Sequence, residues 1–205
     1  FFDISVIAPI ARNVADAALA FEAMAGPDSR DPDSTPVEGS DVDSSDLRVA
    51  FSPKLGLDTP VDPTIAGRLE ALVEHLGKKG LRIVRRDPVW PPGATEEALM
   101  PLQHAGLAAL YGGDFQKEPE QFDPDVARQI ERGLSLRGPE VAAGLGASAA
   151  IRAAFADFFC EFDLLLAPTV PCVAWPLVQL GPKTIDGKEA SPRAHAAFTP
   201  FVNHA

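Results

Sequence analysis

Between Leu47 and Arg85 the pattern of apolar residues changes from alternation to a helical period and back again, and this restricts the fold more than any other feature. Leu47-Arg-Val-Ala-Phe-Ser52 alternates as a strand does. Asp62-Pro63 supplies a helix cap and first helical position, and Ile65, Leu69, Leu72, Val73 and Leu76 repeat as one buried stripe. Gly80 closes that helix, and Leu81 to Arg85 read as a second strand. Strand, helix and strand within about 40 residues make a βαβ unit, in which the crossover leaves the two strands parallel. The expected class is therefore α/β, a mixed and largely parallel sheet flanked by helices.

The rest of the chain fits that frame. Residues 8–26 read as a loop entering a short core helix, with Asn13 as the cap and Asp16 meeting the first-turn N–H groups. Val14, Ala17, Ala18, Phe21, Met24 and Ala25 form its apolar stripe, and Gly26-Pro27 stops it. Arg12 and Asp16 could pair across one turn, but structural roles suit Arg12, Asn13 and Asp16 better. Residues 27–46 are an acidic, solvated loop, and Pro88 to Gly93 are a stiff connector. A helix is expected over 95–112, with Leu99, Leu102, Leu107 and Leu110 facing inward and Pro101 as a possible kink. Asp123-Pro124 starts another, through about Leu134.

Residues 139–161 form a long Ala-rich helix whose apolar side holds Leu145, Ile151, Phe155, Phe158 and Phe159; Cys160 beside them reads as a small buried residue. Asp163 to Ala167 is a short apolar strand, expected to be buried on both faces and ended by Pro168 to Pro171. Residues 172–205 form an irregular tail rich in Pro and Gly.

A net charge of −11 opposes a nucleic-acid footprint and an anionic membrane surface. His75, His104, His195 and His204 lack the spacing of a metal site, and Cys160 and Cys172 lack a close partner, so neither metal nor cofactor is expected. A reducing, cytoplasmic compartment follows from the cysteine usage. No apolar run approaches a membrane span, and the first residues do not read as a secretory signal. The chain begins inside an apolar segment, as a fragment would.

Several stretches occur together in an order that resembles the amidase signature family. They are Pro9-Ile-Ala-Arg12-Asn13-Val-Ala-Asp16-Ala-Ala-Leu19, Ala25-Gly-Pro-Asp28 with Arg30-Asp-Pro32, Val49 to Gly56, Asp163-Leu-Leu-Leu-Ala-Pro168-Thr169-Val-Pro171, and Phe198-Thr-Pro-Phe201-Val-Asn203. Ala8 stands where the family usually has Gly. The resemblance implies the amidase signature fold, with residues 1–205 as the C-terminal portion of one domain. It also implies carboxamide hydrolysis through an acyl-serine intermediate. A Ser hydroxyl needs a base within reach and N–H donors for the oxyanion. The family supplies these from a Ser-Ser-Lys set that precedes the stretch opening this chain, so no catalytic residue is expected here. Ser44-Ser45, between Asp43 and Asp46, reads as a solvated turn.

Thr169, Pro171, Phe198 and Phe201 are the expected cleft residues, with Thr169 open between pocket lining and a strand-ending turn. The expected partner is a small amide bound by the full-length parent, with a homo-oligomer possible. Two alternatives stand beside this reading. One is a non-catalytic interaction module. The other is the amide-hydrolysing component of a glutamyl-tRNA(Gln) amidotransferase, against which the acidic balance argues.

Overall fold

The computed structural model describes residues 4, 6–31, 34, 36 and 46–205; most of the acidic loop, with Ser44 and Ser45, lies outside the described residues. Strand β1 (Val49–Phe51), helix α2 (Pro63–Lys78) and strand β2 (Ile83–Arg85) form the expected unit, with Val49 opposite Ile83 in a parallel register. Strand β3 (Leu164–Leu166) joins the other side of β1, also parallel, with Val49 opposite Leu164. The order β2-β1-β3 puts β1 in the centre. Its three residues are accordingly all buried.

That order corrects the reading of β3. Leu164 is 44% exposed and Leu165 and Leu166 are only half-buried. An edge strand has a neighbour on one side only, so its apolar composition does not by itself bury it.

Helix α3 (Glu96–Lys117) runs a turn longer than its expected span and carries Pro101 inside. It packs against α4 (Pro124–Leu134) and α5 (Gly138–Glu161). The α3–α4 contact is close because Gly133 has no side chain: a Cβ there would lie 2.0 Å from the His104 carbonyl oxygen. The main core joins Leu55, Val61, Leu99, Ile151, Phe155, Phe198 and Phe201, with Trp90 packed against it. Trp90 meets Phe155 edge-on at 5.0 Å and Phe201 at 4.8 Å.

Several inward-facing expectations fail. Leu110 and Leu145 are exposed, as are Leu72, Phe159 and Cys160. These positions keep the helical period but lie beyond what the neighbouring elements cover. By length and composition α5 could cross a bilayer, against the expectation that no segment would. Its Ser148, Ile151, Phe155 and Phe158 instead face the protein core.

The first helix departs furthest. Helix α1 (Val14–Met24) has the expected cap, with the Asn13 side chain accepting from the Asp16 N–H at 2.9 Å and donating to the Asp16 carboxylate at 2.8 Å. No residue of it is buried, and Val14, Leu19, Phe21 and Met24 are all exposed. It is not a core helix among the described residues. Its cap is a local property, whereas burial needs a partner surface.

The tail is also more regular than expected. Strands β4 (Thr184–Ile185) and β5 (Lys188–Glu189) form an antiparallel hairpin, and helix α6 (Thr199–Asn203) follows a 3₁₀ turn at Ala194–Ala196. Asp186 and Gly187 both have positive φ, at 50° and 70°, the requirement of a two-residue hairpin turn. The Asp-Gly pair announces that turn in the sequence.

Candidate functional site

The carboxyl ends of β1 and β3 lie side by side, because Ser52 N–H donates to the Leu166 carbonyl at 2.9 Å. Such ends are where open α/β sheets hold ligands. After β1 the chain makes a tight turn with Leu55 and Gly56 both at positive φ, 53° and 68°. A Cβ on Gly56 would come within 2.5 Å of the Pro88 carbonyl, so the turn requires glycine there. Trp90 donates its indole N–H to the Leu55 carbonyl at 2.7 Å and fixes the strained residue, whose side chain enters the core. Ser52 donates its hydroxyl to Asp87 at 2.5 Å, which ties the end of β1 to the segment after β2.

After β3, Pro168 is buried, Thr169 is exposed and Pro171 is buried again. The Pro171 carbonyl accepts from the Asp62 N–H at 2.8 Å, anchoring this segment to the start of α2. A cavity of about 340 Å³ opens between the segment, α5 and α6. Leu55, Phe159, Pro168 and Phe198 give it apolar walls, and Thr169 and Asn203 add polar groups. An apolar pocket with few polar groups is the usual form of a small-molecule site.

Thr169 and Phe198 are thus brought to one cavity. Pro171 and Phe201 are not among its lining residues: Pro171 is fully buried behind the segment, and Phe201 packs on Trp90. Arg12, Asn13 and Asp16 lie in the exposed α1 region. Asn203 ends one of the stretches that carry the family resemblance, but its spacing does not mark it as a cleft residue. The helix that holds it is only five residues long, too short to show a period, although Thr199-Pro200 is a helix start.

Beside this cavity the buried His204 places Nδ1 3.0 Å from the Ser148 hydroxyl. Burial, aided by the positive charge of Arg152, holds the imidazole below its ordinary pKa. Such a ring is neutral near pH 7 and can accept the Ser148 proton in a hydrogen bond. Among the described residues no carboxylate contacts the ring to orient it, which separates this pair from a triad. The Cys172 thiol is pushed up by burial and by Asp62, which removes thiolate character. No group of three or more metal-ligating side chains occurs among the described residues.

The Amidase family model matches residues 2–205. An acylamidase from Rhodococcus erythropolis is 30% identical over 198 residues, covering 91% of this chain and 40% of that protein. An amidase from Pseudomonas putida is 28% identical over 215 residues, covering 95% and 43%. A glutamyl-tRNA(Gln) amidotransferase component from Agathobacter rectalis is 27% identical over 202 residues, covering 82% and 39%. The crystal structure of a bacterial aryl acylamidase of the amidase signature enzymes superimposes with a TM-score of 0.80 at 21% identity, over 97% of this chain and 44% of that one. That likeness establishes a shared fold. The chain spans about two fifths of the length of these relatives.

Proposed function

Because this chain belongs to the amidase family, we propose that it forms the scaffold and one wall of the substrate cleft in an enzyme that hydrolyses small carboxamides through an acyl-serine intermediate. In this reading residues 1–205 are the C-terminal portion of a single catalytic domain in the cytoplasm. The nucleophile and base come from outside the described elements. The chain contributes Thr169 and Asn203 as polar contacts to the amide, and Phe198 and Phe159 as the surface for its apolar group. The observation that carries the reading is the cavity at the end of β3, where these four residues meet.

The stronger identity to an acylamidase than to an amidotransferase component favours a small-molecule amide over acylated tRNA. The net charge of −11 points the same way. A second reading, an interaction module, is favoured by one observation, the exposed apolar face of α1.

Three measurements separate the readings. A Ser-directed covalent probe is expected to leave the 205-residue chain unlabelled, and stoichiometric labelling overturns its inactivity when alone. Titration with acetanilide, followed by backbone amide NMR, is expected to shift Thr169 and Asn203. Shifts confined to other surfaces reject the cleft assignment. Sedimentation showing a stable dimer that depends on Phe21 and Met24 favours the interaction module.

A further inference from the structure

A second cavity, of about 510 Å³, has a different chemistry. It opens between α3, α4 and the 3₁₀ turn of the tail, and its polar lining is mainly cationic or imidazole: Arg128, Arg132, Arg193, His104 and His195. Three of the chain's 18 Lys and Arg side chains meet here on a molecule of net charge −11. Their carboxylate partners leave them unequally committed. Arg128 is closely paired to Asp125, which neutralises the one acidic side chain in the lining. Arg193 places Nε and Nη2 on the same Glu96 oxygen at 2.7 and 2.5 Å, which leaves its Nη1 outside that pair. Arg132 reaches Glu140 only at 3.5 Å, and Glu140 also accepts from the Arg137 N–H at 3.1 Å.

The fields of Arg132 and Arg193 converge. Both depress the pKa of His104, second to burial, so both positive charges reach the same side chain in this cavity. His195 has its Nδ1 2.9 Å from the Pro192 carbonyl, and its ring rests on Trp175 at 4.8 Å. With Nδ1–H donated to that carbonyl, the ring is held in one orientation. Met100, Leu180 and Pro192 complete the lining with apolar surface.

The loosely paired Arg132 guanidinium can present a fork to the two oxygens of a carboxylate, Arg193 adds a donor from Nη1, and apolar walls match an organic substituent rather than a hydrated inorganic ion. We propose that this cavity binds a small organic carboxylate, held by Arg132 and Arg193 beside His104. The site takes a monoanion: with Arg128 committed to Asp125, the Arg132 and Arg193 guanidiniums remain for the guest, and the acidic balance of the chain opposes a polyanion such as a nucleic acid. The inference does not depend on the amidase reading, since it needs no reaction.

The test is calorimetric titration of the 205-residue chain with benzoate and with benzyl alcohol, an uncharged counterpart that is not an amide, at low and high salt. Benzoate is expected to bind saturably and more weakly at high salt, whereas benzyl alcohol gives no comparable binding. Arg132→Gln is expected to weaken benzoate about tenfold, and Arg132→Lys by less, because charge is kept and the fork is lost. Equal binding of both ligands, absence of saturable benzoate binding, or unchanged affinity in Arg132→Gln overturns the proposal. If circular dichroism shows that Arg132→Gln is unfolded, Arg132→Lys decides on the same criterion.

Discussion

Arg48 grips Asp163 with three N–H groups although 115 residues separate them. The Arg48 backbone N–H and side-chain Nε both donate to one carboxylate oxygen, at 2.8 and 3.0 Å, and Nη2 donates to the other at 2.8 Å. Each residue immediately precedes its strand region, so the pair sets the starting register of β1 against β3. The Arg48 hydrogen bonds hold the Asp163 carboxyl down to about 2. A carboxylate with a folded pKa below its unfolded value of about 3.9 adds stability above that pH and loses it as pH falls through the folded value. Asp163→Asn is therefore expected to lower the denaturant midpoint at pH 7. The gap from the parent chain closes as pH falls from about 4 towards 2, and a gap that persists at pH 2 contradicts the assignment.

His204 gives a second pH dependence at higher pH. Its folded pKa is lowered, so the unfolded chain binds the proton more readily and stability drains as pH falls below about 6.5. His204→Gln is expected to flatten the denaturation midpoint between about pH 7 and 5, since an amide can still meet Ser148 but does not titrate. An unchanged slope points to other groups, with His104 the first alternative, because its pKa is lowered in the same direction.

Ile151 has no exposed surface and packs among Leu55, Leu99, Phe155 and Phe198. Ile151→Ala removes three methyl-sized groups and leaves a cavity, and is expected to cost about 3 kcal/mol in chemical denaturation. Leu110→Ala, at an exposed position of α3, is expected to cost less than about 1 kcal/mol. Equal costs contradict the burial assigned to the two sites.

Two glycines in the α3–α4 hairpin should respond in opposite senses to alanine. A Cβ on Gly113 meets nothing within 4 Å, so Gly113→Ala is expected to stabilise by about 0.5–1 kcal/mol through helix propensity. Gly133→Ala forces a methyl group into the His104 carbonyl and is expected to destabilise by about 2 kcal/mol or more. Paired thermal melts decide, and a stabilised Gly133→Ala rejects the close packing.

Helix α1 has 11 residues and no buried side chain, so local hydrogen bonds and its Asn13 cap carry it. Isolated helices of that length are marginal in water. Its amides are expected to exchange with solvent far faster than those of α5, as read by hydrogen-exchange mass spectrometry. Comparable protection in both requires a surface that covers α1.

The local rules that succeed are those whose partners lie within a few residues. Asp62-Pro63 caps α2 as expected because the Asp62 side chain meets Thr64 N–H two residues away at 2.8 Å. The parallel pairing of β1 and β2 follows from the one crossover between them. Burial is different, since it belongs to pairs of elements. Leu164 reads as doubly buried from its composition and Val14 from its stripe, yet both are exposed because covering requires a neighbour that neither position specifies. Asp186-Gly187 shows the opposite failure: a turn written plainly in two residues is submerged when the tail is read by its average composition. The cavity residues divide along the same line. Thr169 follows a strand, which puts it at a carboxyl end but leaves pocket lining and turn both open, whereas Arg132, Arg193 and His104 come together only through packing.

The close approach at Gly133 has a consequence for how this molecule can change. Two walls of the cationic cavity, α3 and α4, meet at a point where one backbone already touches the other. Selectivity for smaller or larger guests can be tuned by exchanging Met100, Leu180 or Arg128, but the distance between the two helices is not an adjustable quantity. A guest too thick for the space beside these helices finds room towards the third wall, the tail at Leu180 and Pro192 to His195, and not by parting α3 from α4. The hairpin therefore behaves as a fixed gauge, and variation in what the cavity admits has to be carried by the side chains on it and by the tail that faces it.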